Sequence, residues 1–275
     1  MSLLPSVTRL SFAALLTFAP LQPGALAAWV NDPDGHRNLT LPDAAGDAQL
    51  VVPKACRAKP CSLVIVSHGR GGLASAGIQH APFDTLLDAI DTQGFVLLLS
   101  SDGGPSTWGN TAALSSIQRS YKAALPHFQH DGRVYTLGVS MSALPATLTA
   151  YRRTLGIPIK AVALVAGRVN LQDAVRSSVS RGKSITAAYG SAPLITSDPV
   201  NYFRHFVGRR TPLIVVVSPQ DTVVSSAKNG GRLAHLARSA GASVEVVQVS
   251  GQHLTHGYVN AEIGRQIGAF FLQHR

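Results

Sequence analysis

Apolar residues along this chain fall into two rhythms. After Pro60, continuous apolar runs of strand length recur at residues 63–66, 95–99, 134–137, 161–166, 213–217 and 244–247. Runs without polar interruption fit strands buried on both faces. Between them the spacing changes to every third or fourth position: Phe83/Leu86/Leu87/Ile90, Leu114/Ile117/Tyr121/Leu125, the stretch 141–155, Leu233/Leu236/Ala237 and Ile263/Ile267/Phe270/Phe271. This spacing predicts helices with one apolar face. Regular alternation of the two predicts an α/β fold, a mostly parallel central sheet with helices on both faces. Ligands in such sheets sit beyond the carboxyl ends of the strands, so functional residues are expected just after each run.

The flanking segments are different. Short alternations at Leu39-Thr40-Leu41 and Leu50-Val51-Val52, set among Asp, Gly, Pro and Asn, predict antiparallel edge strands. Between residues 166 and 213 the glycines and prolines predict an irregular region able to cover a cleft. At the start, Arg9, the apolar run 10–19 and the small residues Ala25-Leu26-Ala27 read as a secretory signal peptide over residues 1–27, leaving 28–275 as a single domain. The apolar run is about half the ~20 residues that span a bilayer, so no transmembrane segment is expected after its removal. The expected location is outside the cell or in the periplasm.

Length and composition suit this picture. The 275 residues, 45% hydrophobic and only 14% charged, supply a large core and exclude disordered, collagenous and coiled-coil chains. Lys and Arg exceed Asp and Glu, for a formal charge of +10; residues 1–27 hold one arginine and no acid, so the remainder keeps +9. Such a charge bears on solubility and on contact with anions, and no nucleic-acid partner is expected from it. The two cysteines, Cys56 and Cys61, are expected to form a disulfide in an oxidising compartment and to pin the entry to the next strand. A loop this short contributes about 2 kcal/mol by the chain-entropy account.

The chemistry starts after the run 134–137, at Gly138-Val139-Ser140-Met141-Ser142. This pentapeptide resembles the nucleophile elbow of the α/β-hydrolase superfamily, a serine on a tight strand-to-helix turn with small residues two positions to either side. The turn brings backbone so close that those flanking positions must be small. Gly138 meets the condition, and Ser142 stands where glycine is usual. A plainer account makes Ser140 a helix cap.

Partners for the serine follow in family order. Asp221 comes after the run 213–217 and His253 after 244–247, matching the superfamily order of nucleophile, acid and base. The stretch from Asp198-Pro199 through Thr211-Pro212 to Asp221-Thr222 also resembles dienelactone-hydrolase-like and prolyl-oligopeptidase-like members. Asp173 and Asp198 are rival acids. His256 is a rival base, read instead as opening the last helix. The resemblance implies that His253 takes the proton of Ser140, that Asp221 orients the imidazole, and that the amides of Met141 and Arg70 form the oxyanion hole, Arg70 lying in Ser67-His68-Gly69-Arg70-Gly71-Gly72. It also implies a serine esterase without metal or organic cofactor, acting on a small-molecule or polymer ester. A peptidase of the same fold and a non-catalytic binding protein are the alternatives.

Other motifs carry weaker signals. Gly69-Arg70-Gly71-Gly72-Leu73-Ala74 fits G-x-G-x-x-A, with Asp102 as the ribose-binding acid of a dinucleotide protein, but Asp102 stands too far on. Trp108 is expected to wall the substrate pocket. His127 and His130 read as a polar helix end, Asp84, Asp88 and Asp91 as a solvated helix face, and Asn38-Leu39-Thr40 as a glycosylation sequon.

Overall fold

The computed structural model describes residues 29–32, 35–72, 74 and 83–275. The signal-peptide reading of residues 1–27 lies outside them. Strands β1 (Val30–Asn31), β2 (Arg37–Leu41), β3 (Ala48–Val52), β4 (Cys61–Ser67), β5 (Phe95–Ser100), β6 (His130–Val139), β7 (Val162–Val165), β8 (Leu213–Val217) and β9 (Val244–Gln248) form one sheet. Its order is β1-β2-β3-β5-β4-β6-β7-β8-β9. The first three strands pair antiparallel, and everything from β5 to β9 is parallel. The edge strands expected at 39–41 and 50–52 are therefore β2 and β3.

Each apolar run splits its side chains between two cores, as the two-residue strand period requires. Leu63, Ile65, Leu164 and Val215 face one side, where they meet α2 (Thr111–Ala124), α3 (Ala143–Arg152) and α6 (Gly230–Ser239). Val64, Val66, Val165 and Val216 face the other, against α1 (Phe83–Asp91) and α7 (Ala261–Gln273). Helices thus cover both faces, as the alternation predicts. Strand β9 is the exception to double burial: it closes the sheet edge and leaves Val246 42% exposed. No helix among the described residues is long and apolar enough to cross a membrane.

Three expectations need correction. The region 166–213 is not irregular, since it contains α4 (Leu171–Ser177) and α5 (Val179–Tyr189), capped by Asn170 and Ser178. Their apolar stripe is narrow, and Gly182, a weak helix former, stands within α5. Asp91 is not on a solvated face: it is 2% exposed and lies 3.3 Å from His36 Nε2. His256 does not open the last helix, which Asn260 caps at Ile263 N; the exposed His256 precedes it in a turn. His127 and His130 sit at the entry to β6, where they pack edge-on against Trp29 and against Tyr121 and Phe128.

Cys56 and Cys61 are joined by a disulfide with Cα atoms 5.7 Å apart. Cys61 is the first residue of β4, so the link fixes the chain as it enters the strand that ends at Ser67 and leads into His68-Gly69.

Candidate active site

Strand β6 delivers Ser140 to the carboxyl edge of the sheet. Its backbone turns there with φ of 53°, a left-handed conformation that costs a non-glycine residue on the order of 1 kcal/mol and is kept only when the surroundings impose it. Gly138 is the reason the turn can form, because a Cβ there would stand 2.5 Å from the Ser142 carbonyl oxygen and 2.6 Å from Ala143 Cα. Ser142, the departure from the usual motif, is fully buried, and its hydroxyl donates to the carbonyl of His68. It ties the elbow to the loop after β4. Asp102, Trp108, Ala166 and Leu254 are likewise left-handed, and all four stand around the same edge of the sheet.

The side chain of Ser140 does not cap a helix. Its Oγ lies 2.9 Å from His253 Nε2, and His253 Nδ1 lies 2.8 Å from Asp221 Oδ2. A carboxylate only accepts, so Nδ1 carries the proton and Nε2 is left to accept from the serine hydroxyl. The other acid oxygen, Asp221 Oδ1, accepts from the amides of Val223 and Val224 at 2.9 and 2.8 Å, and Tyr258 Oη donates to Oδ2 at 3.1 Å. Four donors therefore satisfy a carboxylate that has no contact with solvent. Burial, with the Asp221 charge second, pushes the Tyr258 hydroxyl well above its ordinary value, so it remains a donor.

The rivals are occupied elsewhere. Asp198 accepts from the amides of Gln172, Val200 and Asn201, and Asp173 pairs with Lys228 and Asn229. His256 is exposed, and its carbonyl accepts from Asn260 Nδ2. Asp102 is wholly buried and accepts from Ser67 Oγ at 2.9 Å, out of reach of any ribose. Burial raises its carboxyl above the usual carboxylate range.

In front of Ser140 lies a cavity of about 240 Å³ bordered by Gly69, Arg70, Met141 and His253. The Arg70 amide has no backbone acceptor among the described residues. His68 steadies this loop, its ring nitrogens lying 2.8 Å from Gly69 O and 2.9 Å from Ser101 O. Trp108 borders the cavity too, but the residue is only 1% exposed; Nε1 donates to Ser184 Oγ, and Tyr189 Oη donates to its carbonyl. A second cavity of about 290 Å³, lined by Phe83, Leu86 and Leu87, meets the first at Gly69, Arg70 and Leu254.

Two groups hydrogen-bonded to members of the relay from Ser140 to Asp221 escaped the sequence reading. Tyr258 had no signal beyond standing five residues after His253. Arg168 had one, because it follows β7 at a strand end. Gly167 lets this loop approach α3, where a Cβ would come 2.8 Å from that of Ala143. The Arg168 amide then donates to Ser140 O at 2.8 Å, and its buried guanidinium, its pKa lowered to about 10 first by desolvation, borders the cavity.

No family model and no curated protein sequence matches this chain. Solved structures do. The chain is similar to a truncated carbohydrate esterase from gut microbiota, at 13% identity over 89% of this chain and 98% of that one, with a TM-score of 0.70. It is similar to fluorophosphonate-binding serine hydrolase F of Staphylococcus aureus, at 12% identity over 91% and 99%, with a TM-score of 0.66. It also resembles an acylaminoacyl peptidase of Pyrococcus horikoshii at 13% identity and a TM-score of 0.66, covering 87% of this chain but 41% of the peptidase. Likeness at such identities is one of fold. The chain has the α/β-hydrolase fold.

Proposed function

We propose that this protein is a serine hydrolase that cleaves carboxylic esters through an acyl-enzyme. The observation that carries the proposal is the continuous relay from Ser140 Oγ through His253 to Asp221. In the acylation step His253 Nε2 takes the serine proton as Oγ attacks the ester carbonyl, and the imidazolium stays paired with Asp221. The amides of Met141 and Arg70 stabilise the oxyanion. His253 then returns the proton to the departing alcohol, and the same steps with water as nucleophile release the acid.

Esters are favoured over amides because an alkoxide leaves a tetrahedral intermediate more readily than an amine, which must be protonated as it departs. A peptidase reading has its own support in the likeness to the acylaminoacyl peptidase, although this chain spans 41% of that protein. Purified protein should hydrolyse 4-nitrophenyl acetate and be labelled by a fluorophosphonate probe at Ser140. Ser140→Ala should abolish the labelling and lower kcat by about 10⁴-fold or more. Labelling at another serine, or peptide amides cleaved faster than esters, overturns the reading.

Export is the second part of the proposal. It rests on the signal-like segment 1–27 and accords with the Cys56–Cys61 disulfide. Secreted material should begin near Ala28 on N-terminal sequencing, and a chain found starting at Met1 contradicts it.

A further inference from the structure

The cavity in front of Ser140 is bordered by three arginines, Arg70, Arg168 and Arg181, and, among the described residues, by no aspartate or glutamate. They come from three separate elements: the loop after β4, the loop after β7, and helix α5. Their convergence is a property of the fold rather than of a local basic run.

The protein balances these charges only in part. Arg168 is 3% exposed; its Nη2 donates to the Val223 carbonyl, while Nη1 makes no hydrogen bond and lies 3.5 Å from Asp173 Oδ2. Asp173 is shared, with Lys228 Nζ 3.4 Å from its other oxygen and Asn229 Nδ2 3.1 Å from Oδ2. Asp221 is committed to His253. Arg181 donates to the neutral Ser177 hydroxyl and forms no ion pair among the described residues. Guanidinium groups crowded at one cavity repel each other. Bringing like charges together costs free energy that an anion would return.

We infer that this cavity receives the carboxylate of an ester substrate, so that the natural substrates are esters bearing an acidic group on the acyl or the alcohol side. The inference rests on the esterase reading above. Arg181, half-buried at the cavity wall, supplies the ionic contact, and Arg168 supplies a fixed donor beside the nucleophile. A carboxylate is the chemistry that guanidinium forks match best. The neighbouring apolar cavity takes the uncharged part. Trp108, held by Ser184, keeps the wall between α5 and the elbow in place.

The test uses two matched pairs. On the acyl side, the 4-nitrophenyl monoester of suberic acid is compared with its terminal amide; on the alcohol side, 4-acetoxybenzoate is compared with 4-acetoxybenzamide. At least one acidic ester should exceed its neutral partner in kcat/KM by about tenfold or more, chiefly through KM, the scale of one charge-assisted contact. The pair that responds identifies the side that carries the anion. Arg181→Gln should bring that ratio close to one, and Arg181→Lys should keep part of it. Ratios at or below one in both pairs, or a ratio unmoved by Arg181→Gln, overturn the inference. If no ester is turned over at all, it is the esterase reading that fails. The cavity is then judged by calorimetry with monoethyl suberate: binding that Arg181→Gln weakens about fivefold or more supports it, and no binding, or binding that the variant leaves alone, overturns it.

Discussion

Replacing His253 with alanine will lower kcat for 4-nitrophenyl acetate by about 10⁴-fold or more, whereas His256→Ala will retain most of the activity. The two histidines are three residues apart, yet the fold treats them differently. His253 Nε2 lies 2.9 Å from Ser140 Oγ, and His256 faces solvent in the turn before α7. General-base catalysis requires hydrogen-bond reach, so proximity in sequence confers nothing on His256. Steady-state kinetics on both purified variants decides the matter, and the reverse ranking would remove His253 from the relay.

The second large effect is expected at Gly138. Its missing side chain leaves room for backbone, not for a flexible neighbour: the nearest atoms to an added Cβ are the Ser142 carbonyl oxygen and the Cα and nitrogen of Ala143. Backbone in a tight turn cannot move aside without carrying Ser140 with it. Gly138→Val should therefore destabilise the protein by about 3 kcal/mol, near the upper end of overpacking costs, and abolish fluorophosphonate labelling in whatever fraction stays folded. Chemical denaturation and labelling of the same preparation separate the two consequences. A variant of unchanged stability that still reacts would mean that the turn is looser than its contacts indicate.

The sheet was legible because double burial forces continuous apolar runs, and the runs at 95–99 and 213–217 correspond closely to β5 and β8. The order of Ser140, Asp221 and His253 was legible because each follows a strand, and strand ends are marked by a change from apolar to small or polar residues. Helices α4 and α5 were not. They pack on a small cluster around Trp108, Met141 and Leu144 rather than on the sheet, so their sequences need little apolar surface. The convergence of Arg168 and Arg181 escaped for a related reason: a strand-end position marks Arg168 alone, and no single element shows that its arginine meets those of two others. The role of Ser142 was legible only as a departure, since its bond to the His68 carbonyl joins loops 74 residues apart.

The position of β9 has a temporal consequence. Ser140 and His253 are 113 residues apart, and His253 is carried by the turn after an edge strand that, among the described residues, pairs only with β8. A chain emerging from its amino end presents Ser140 long before His253 exists, and joining residues so distant in sequence costs loop-closure entropy before the contact rewards it. Until that last strand docks, Ser140 is an ordinary alcohol. Under the export and hydrolysis proposed above, this order keeps the relay from Ser140 to Asp221 incomplete until the chain has been made through the turn that holds His253.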